Sequence, residues 1–524
     1  MVSSILTAAD MNSATATRRV ERGELVRLTR GIYSTDVDTP PERIVRREWH
    51  TIVGHLYPDA VITDRSAITG GPVDGVLYLA HAGRARDTEL PGLTVRARTG
   101  RGPLDGDARM PSGIYQASKG RAFIENTAPS RARAGNTRRT LTEEELGDWI
   151  DRLVTSHGEE QVQRFRTEAE ALAPTLDADE SRVALMSRLV GTALGTQQAD
   201  TASRALRARR SGLPYDHDRM RLLGILITEL RESEPQTNAV RNPTDDRYRH
   251  LPFFEAYFSN FIEGTEFAMD EAVAIVYDGK QIPGRSGDSH DLLGTYRVVN
   301  DLAEMQTLPR DADEFVQLLK ARHATILAGR PDKNPGQFKL VPNRAGLSDF
   351  VLPGHVDGTL RAGWERLSEL DTPFERAVFM MFLVSEVHPF DDGNGRVARV
   401  MMNAELVAKG ESRIIIPTVF RDDYVDGLRM LTRQDRADVL IKALRYAHDY
   451  TAQIPWYDTN SAQRALTATN AFEEPNSSDR LILPSALRRR GGIDITVRAS
   501  VGGPVNPDWA VPPLGTESSN GIGF

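Results

Sequence analysis

The chain has 524 residues, 40% of them hydrophobic, which is long enough for several domains that each bury a core. Its 65 Lys and Arg against 73 Asp and Glu leave a net charge of −8, so it is not a globally basic binder of nucleic acid or membranes, and any such binding must be local. The complete absence of cysteine excludes a disulfide framework, thiol catalysis and cysteine metal sites, and suits a reducing compartment.

In chain order, the start MVSSILTAADMNS has no basic-then-apolar leader, and no apolar run approaches the roughly 20 residues of a membrane span, so a cytoplasmic address without a membrane partner is expected. TRRVERGELVRLTRGIYS reads as helix, turn, strand, with Gly23 and Gly31 bracketing Leu25, Val26, Leu28, Ile32 and Tyr33. From Arg84 to Arg139 twelve Lys or Arg stand against five acids, the one strongly basic region, and the runs GVLYLAHA and GLTVRART between Gly and Pro predict a small α+β domain. LTEEELGDWIDRLV opens on a capping box at Thr142, and SRVALMSRLVGTALG has helical apolar spacing, so 141–236 reads as a helical connector. Helices dominate again over 237–455, interrupted by NPGQFKLVPNRAGLSDFVLPG, a loop or hairpin. The tail, 456–524, is too rich in Gly and Pro for a regular core and is expected to be partly disordered. The boundaries are therefore 1–57, 58–140, 141–236, 237–455 and 456–524.

The densest chemistry lies in HPFDDGNGRVAR, His388 to Arg399. Upstream, Thr372 as N-cap, Pro373 at the first helical position and Glu375 start an almost wholly apolar helix. Pro389 disfavours helix at His388, and a second helix runs from Gly395 until Gly410 can end it. The turn DGNG precedes that helix's N-terminus, where free N–H groups and the helix dipole form an anion site suited to phosphate. Arg396 and Arg399 project from its first turn and can grip two phosphoryl groups. Asp392 can hold Mg²⁺ together with phosphate oxygens, and a histidine at the mouth of the turn can take a proton from a hydroxyl near neutral pH. Together these parts fit in-line displacement on a nucleotide phosphate.

The stretch resembles the Fic family pattern H-x-F-x-[D/E]-G-N-G-R-x-x-R at every defined position, and the similarity extends over roughly 237–450, including GQFK and RVMMNAELVAKG. The resemblance implies a multidomain chain with a mainly α Fic fold and a β-hairpin flap in its C-terminal half. It also implies a protein adenylyltransferase that moves AMP from ATP to a Ser, Thr or Tyr hydroxyl of a target protein. His388 would be the general base and Asp392 the Mg²⁺ ligand. The backbone of Gly393, Asn394 and Gly395 would cradle phosphate, Arg396 and Arg399 would hold the outer phosphates, and Asn403 would contact the adenine side. The segment LSDFVLPG would be a target-docking flap through Leu347, Ser348, Asp349, Phe350, Val351 and Leu352. SNFIEG matches the family's inhibitory pattern [S/T]-x-x-x-E-[G/N] through Ser259, Glu263 and Gly264. There the glutamate would pair with Arg399 and occupy the place of the γ-phosphate. Self-modification and a homodimer are compatible with this reading.

RRVERGELVRLTRGIYS resembles the winged-helix segment of AbiEi-type antitoxins, and PDAVITDRSAI with LPGLTVRARTGRGP resembles the domain that follows it, which implies a small winged-helix and α+β region ahead of the Fic half. DNA binding through Arg18, Arg19, Arg22, Arg27 and Arg30 is the corresponding expectation. Two alternatives keep the same residues: a transcription regulator that senses nucleotide, and removal of AMP or transfer of another phosphate-containing group.

Overall fold

The computed structural model describes residues 4–7, 9–83, 86–132, 137–240, 246–346 and 348–489. Arg84 and Arg133 of the basic region, Leu347 of the flap segment and residues 490–524 of the tail lie outside them. The chain divides into two compact units, Met1–Gly212 and Leu213–Phe524.

In the first unit β1 (Ile5–Thr7), β2 (Val26–Thr29) and β3 (Ile32–Ser34) form an antiparallel sheet ordered β1-β3-β2, accompanied by α1 (Ser13–Glu21) and α2 (Pro41–Leu56). Asn12 caps α1 by accepting from the Thr15 N–H. There follow β4 (Val61–Ile62), α3 (Asp64–Thr69), β5 (Val76–His81), β6 (Thr88–Leu90), β7 (Leu93–Thr99), β8 (Ala108–Arg109) and β9 (Tyr115–Gln116). These strands make a mixed sheet ordered β6-β7-β5-β4-β9-β8, in which β5–β7 and β4–β9 run parallel. Alternation sends Leu77, Leu79, Val95 and Ala97 to one face, where they pack with Ile44, Ile52 and Val53 of α2. A second core, with Phe123, Trp149, Leu189 and Leu206, joins α4 (Lys119–Asn126), α5 (Glu143–His157), α6 (Glu159–Leu172), α7 (Glu180–Ala193) and α8 (Arg204–Arg210). The Thr142 capping box is present at the start of α5.

The second unit begins with α9 (His217–Glu232), so the helical stretch 141–236 is shared between the two units. It continues with α10 (Leu251–Ile262), α11 (Met269–Asp278), α12 (Ser286–Asn300), α13 (Leu302–Gln306) and α14 (Ala312–Ile326). The short hairpin β10 (Arg344–Ala345) and β11 (Ser348–Asp349) comes next, where the Gly, Pro and Asn punctuation placed a loop or hairpin. Then come α15 (Pro353–Glu365), α16 (Pro373–Val387), α17 (Asn394–Val407), α18 (Arg421–Gln434), α19 (Ala437–Ala452), α20 (Thr459–Ala468) and α21 (Pro484–Arg489). The last two helices show that part of the expected irregular tail is ordered. One core surrounds α16 and α17, which are buried along nearly their whole length. An apolar helix of this kind has no solvent face, and each Leu, Phe or Met it buries contributes about 1.5–3 kcal/mol. No described helix is long and apolar enough to cross a membrane.

Candidate active site

The site is built on the bend between α16 and α17. Thr372 and Glu375 cap α16 reciprocally, and the helix stops at His388, whose backbone turns left-handed at φ 51°. Pro389 forces that exit, because its ring clashes with a helical residue before it. The loop is held shut by Asn394, whose side chain accepts from the Phe390 N–H at 2.8 Å and donates to the Phe390 carbonyl at 2.9 Å. Gly393, at φ 72°, supplies the left-handed residue from which α17 starts.

The N-terminal turn of α17 meets the C-terminal end of α10. Arg399 donates through Nε to Ser259 Oγ at 3.0 Å and through one terminal nitrogen to the Ser259 carbonyl and to Glu263 Oε1, at 2.7 and 2.8 Å. Both partners are nearly enclosed, with 5% of the Arg399 and 8% of the Glu263 side chain exposed. A methyl group placed on Gly395 would lie 2.1 Å from Glu263 Oε1. The carboxylate therefore rests against the first turn of α17, where a helix attracts anions. Glu263 caps α10 from just beyond its last residue, Ile262, and Gly264 at φ 83° turns the chain away. A carboxylate at a helix C-terminus is disfavoured by that helix's own dipole, and the opposing α17 terminus and Arg399 offset this. Arg396 lies deeper, on Asp291 at 2.5 Å, Asn260 at 3.4 Å and Asp392 at 3.3 Å.

Residues 314–406 match the Fic/DOC family. The chain spans about half the length of the curated relatives it matches. Protein adenylyltransferase fic-1 of Caenorhabditis elegans is 27% identical over 317 residues, 59% of this chain and 59% of the relative. Protein adenylyltransferase Fic of Nematostella vectensis is 27% identical over 243 residues, 44% of this chain and 56% of the relative. Among solved structures, a fragment of Caenorhabditis elegans Fic-1 is 18% identical with a TM-score of 0.34, covering 63% of this chain and 89% of that one. A Fic-domain signaling protein from Bacteroides thetaiotaomicron is 19% identical with a TM-score of 0.32, covering 47% of this chain and 98% of that one.

Within the matched segment, three expectations need correction. His388 is not at an open mouth: it is 7% exposed, and its ring stacks on Phe350 at 3.8 Å and 5°, because the segment after β11 folds inward over the bend. Phe350 and Val351 are buried, so they cannot present themselves to a target chain as they stand, whereas Asp349 and Leu352 remain exposed. Ser348 is held by Arg433 of α18 at 2.9 Å, and the Asp349 carbonyl accepts from Arg219 of α9. Asn403 faces the protein interior: its amide donates to Glu255 and the Ile414 carbonyl and accepts from the Ile414 N–H, which leaves no donor for a base.

Several contributors were given no role by the sequence patterns. His323 of α14 stacks on Phe390 at 3.7 Å, accepts from the Gly336 N–H at Nδ1 and so donates through Nε2 to the Asp392 carbonyl at 2.9 Å. It fixes the loop that bears the acidic residue. Lys339, the lysine of GQFK, is buried, donates to Asn343 Oδ1 at 2.5 Å and lies 5.9 Å from the Phe350 ring centre. Burial and the nearby Arg219 charge push its ammonium down to about 7. Burial, reinforced by the Lys339 charge, pushes the His388 imidazole down to about 3, so it is held neutral, the form that accepts a proton. Asp392 uses Oδ1 on the Gly393 N–H and Arg396, while its partly exposed carboxylate has no described protein partner at Oδ2. One carboxylate oxygen without a described partner, at the N-terminus of α17, is the kind of donor that Mg²⁺ uses when other oxygens and water complete its shell. Among the described residues no group of three His, Asp or Glu can hold a metal without such help.

Proposed function

We propose that the chain transfers AMP from ATP to a Ser, Thr or Tyr hydroxyl of a protein acceptor, and that Glu263 holds it at rest. The observation that carries this reading is the Glu263 carboxylate lying against Gly395 and on Arg399, an anion seat already filled by an anion beside the bend that bears His388. The names of the curated relatives, protein adenylyltransferases, favour this transfer over other phosphate chemistry. In this reading the nucleotide's outer phosphates displace Glu263 and lie on Arg396 and Arg399, the backbone of Gly393–Gly395 cradles phosphate, and Asp392 would hold Mg²⁺, which neutralises phosphate charge. His388 takes the acceptor's proton once the flap lifts Phe350 away. The acceptor hydroxyl then attacks the α-phosphorus, the bond to the bridging oxygen breaks and pyrophosphate leaves. The N-terminal unit would act as a DNA-binding or regulatory module, with the exposed Arg22 and its neighbours as phosphate contacts. The test is labelled ATP with the parent chain, Glu263→Gly and His388→Ala. Transfer rises in the first variant and disappears in the second, and unchanged transfer in both defeats the assignment.

A further inference from the structure

The six-stranded sheet of the first unit is apolar on the face packed against α2, whereas its other face carries arginines beside buried residues such as Val61 and Tyr78. The parallel register of β5 and β7 sets Tyr78 opposite Arg96 and Ala80 opposite Arg98, so two arginines of one interior strand rise side by side over the sheet. They line a cleft of about 330 Å³ with Arg131, Arg139, Asp64 and Asp87, a volume within the usual range of about 300–1,000 Å³ for small-ligand sites. Charged groups over an interior strand are expensive to desolvate and are kept where they are paired or used.

Half of these cations have partners. Asp64 is fully buried and accepts from Arg98 Nε at 2.9 Å and from Arg139 at 2.8 Å, and Arg98 also reaches Glu125 at 2.9 Å. Arg139 is held in place by the backbone around it: Arg65 donates to the Arg138 and Thr140 carbonyls while its own N–H bonds the Arg139 carbonyl. Asp64 keeps a left-handed backbone at φ 53°, a conformation disfavoured for a residue other than glycine, at the point where it anchors both arginines. The other half are without ion pairs among the described residues: Arg131 is exposed at the rim, and Arg96 has a buried Nε with no hydrogen-bond partner.

We propose that this cleft binds a phosphate-bearing ligand of mononucleotide size, with Arg96 and Arg131 gripping the phosphate while the Asp64 network holds Arg98 and Arg139 in position. Two unpaired guanidiniums match the two charges of a phosphomonoester and offer it fork-shaped donors. The rigid ion-paired floor preorganises the site, and the orphaned Arg96 Nε gains the acceptor it lacks.

Hydrogen-exchange mass spectrometry on the full chain tests this, because it separates the cleft from the second unit. AMP, or inorganic phosphate at higher concentration, slows exchange in 93–99. The same ligand leaves 93–99 unprotected in Arg96→Gln/Arg131→Gln, and Arg131→Gln alone, at an exposed position that does not threaten folding, raises the concentration for half-protection at least several-fold. Duplex DNA is the second arm, since its backbone carries the same chemistry. Protection by duplex without protection by AMP or phosphate overturns the proposal, as does no protection by any of them or protection that persists in the double variant.

Discussion

Arg399 and Glu263 are both nearly enclosed, so removing the carboxylate leaves a cation in the interior without its counter-charge. Breaking a buried pair on one side destabilises by about 3–5 kcal/mol. Glu263→Gly is therefore expected to gain AMP transfer, by roughly tenfold if the competition is worth about 1.4 kcal/mol, and to melt several degrees lower. ATP should raise the melting temperature of the variant more than that of the parent, because the nucleotide now meets no rival for the arginine. Thermal scans with and without ATP decide this. His323→Phe keeps a ring on Phe390 but deletes the bond to the Asp392 carbonyl, so transfer falls while the fold survives; circular dichroism beside the activity assay checks both. Ser259 and Glu263 could be singled out because they lie within six contiguous residues that match a pattern. Asp291 and His323 could not, since each sits at an ordinary helix position and only folding gathers them around the bend, while Asn260 and Lys339 lie inside SNFIEG and GQFK at positions to which those patterns gave no role.

For whole elements, the helix–bend–helix was readable from Thr372, Pro373, Glu375 and Pro389, each of which acts on its own neighbours. Leu383 lies fully buried in α16 against Gly363 of α15, so Leu383→Ala should lose about 2–5 kcal/mol in urea unfolding. The hairpin's location was also readable, but not which way Phe350 points: strands of two residues are too short for alternation to declare an inner face. That orientation has a measurable effect. Phe350→Ala uncovers His388, so the imidazole rises from about 3 toward its ordinary value of about 6.5. A general base works only above its pKa, so the acid limb of kcat/KM, which reports the free enzyme with its flap still closed, moves to higher pH. The pH profile of the Glu263→Gly enzyme with and without Phe350→Ala measures the shift, and coincident profiles count against the lid.

For the whole molecule, buried neutral histidines predict how stability depends on acid. Burial holds His388 at about 3 and His323 at about 4 and also pushes His448 down, whereas the unfolded chain protonates near 6.5. As pH falls below about 6.5 the unfolded state binds protons that the folded state refuses, so stability is intact above that point and declines toward pH 4 and then 3. Urea midpoints at pH 7.5 and 5.0 should differ in that direction. The cores of the two units share no residue, so fragments cut between Gly212 and Leu213 should each give a helical circular-dichroism spectrum and a cooperative melt. The N-terminal sheet was visible only as two β-type runs. Its ordering β6-β7-β5-β4-β9-β8 depends on long-range pairings that no local pattern records. The backbone at His388 carries one more consequence. An alanine forced to φ 51° pays a steric penalty that asparagine largely escapes, so loss of turnover in an alanine variant mixes missing chemistry with a warped hinge. His388→Asn removes the imidazole while keeping a residue at ease in that twist, which makes it the cleaner inert form for trapping a bound acceptor.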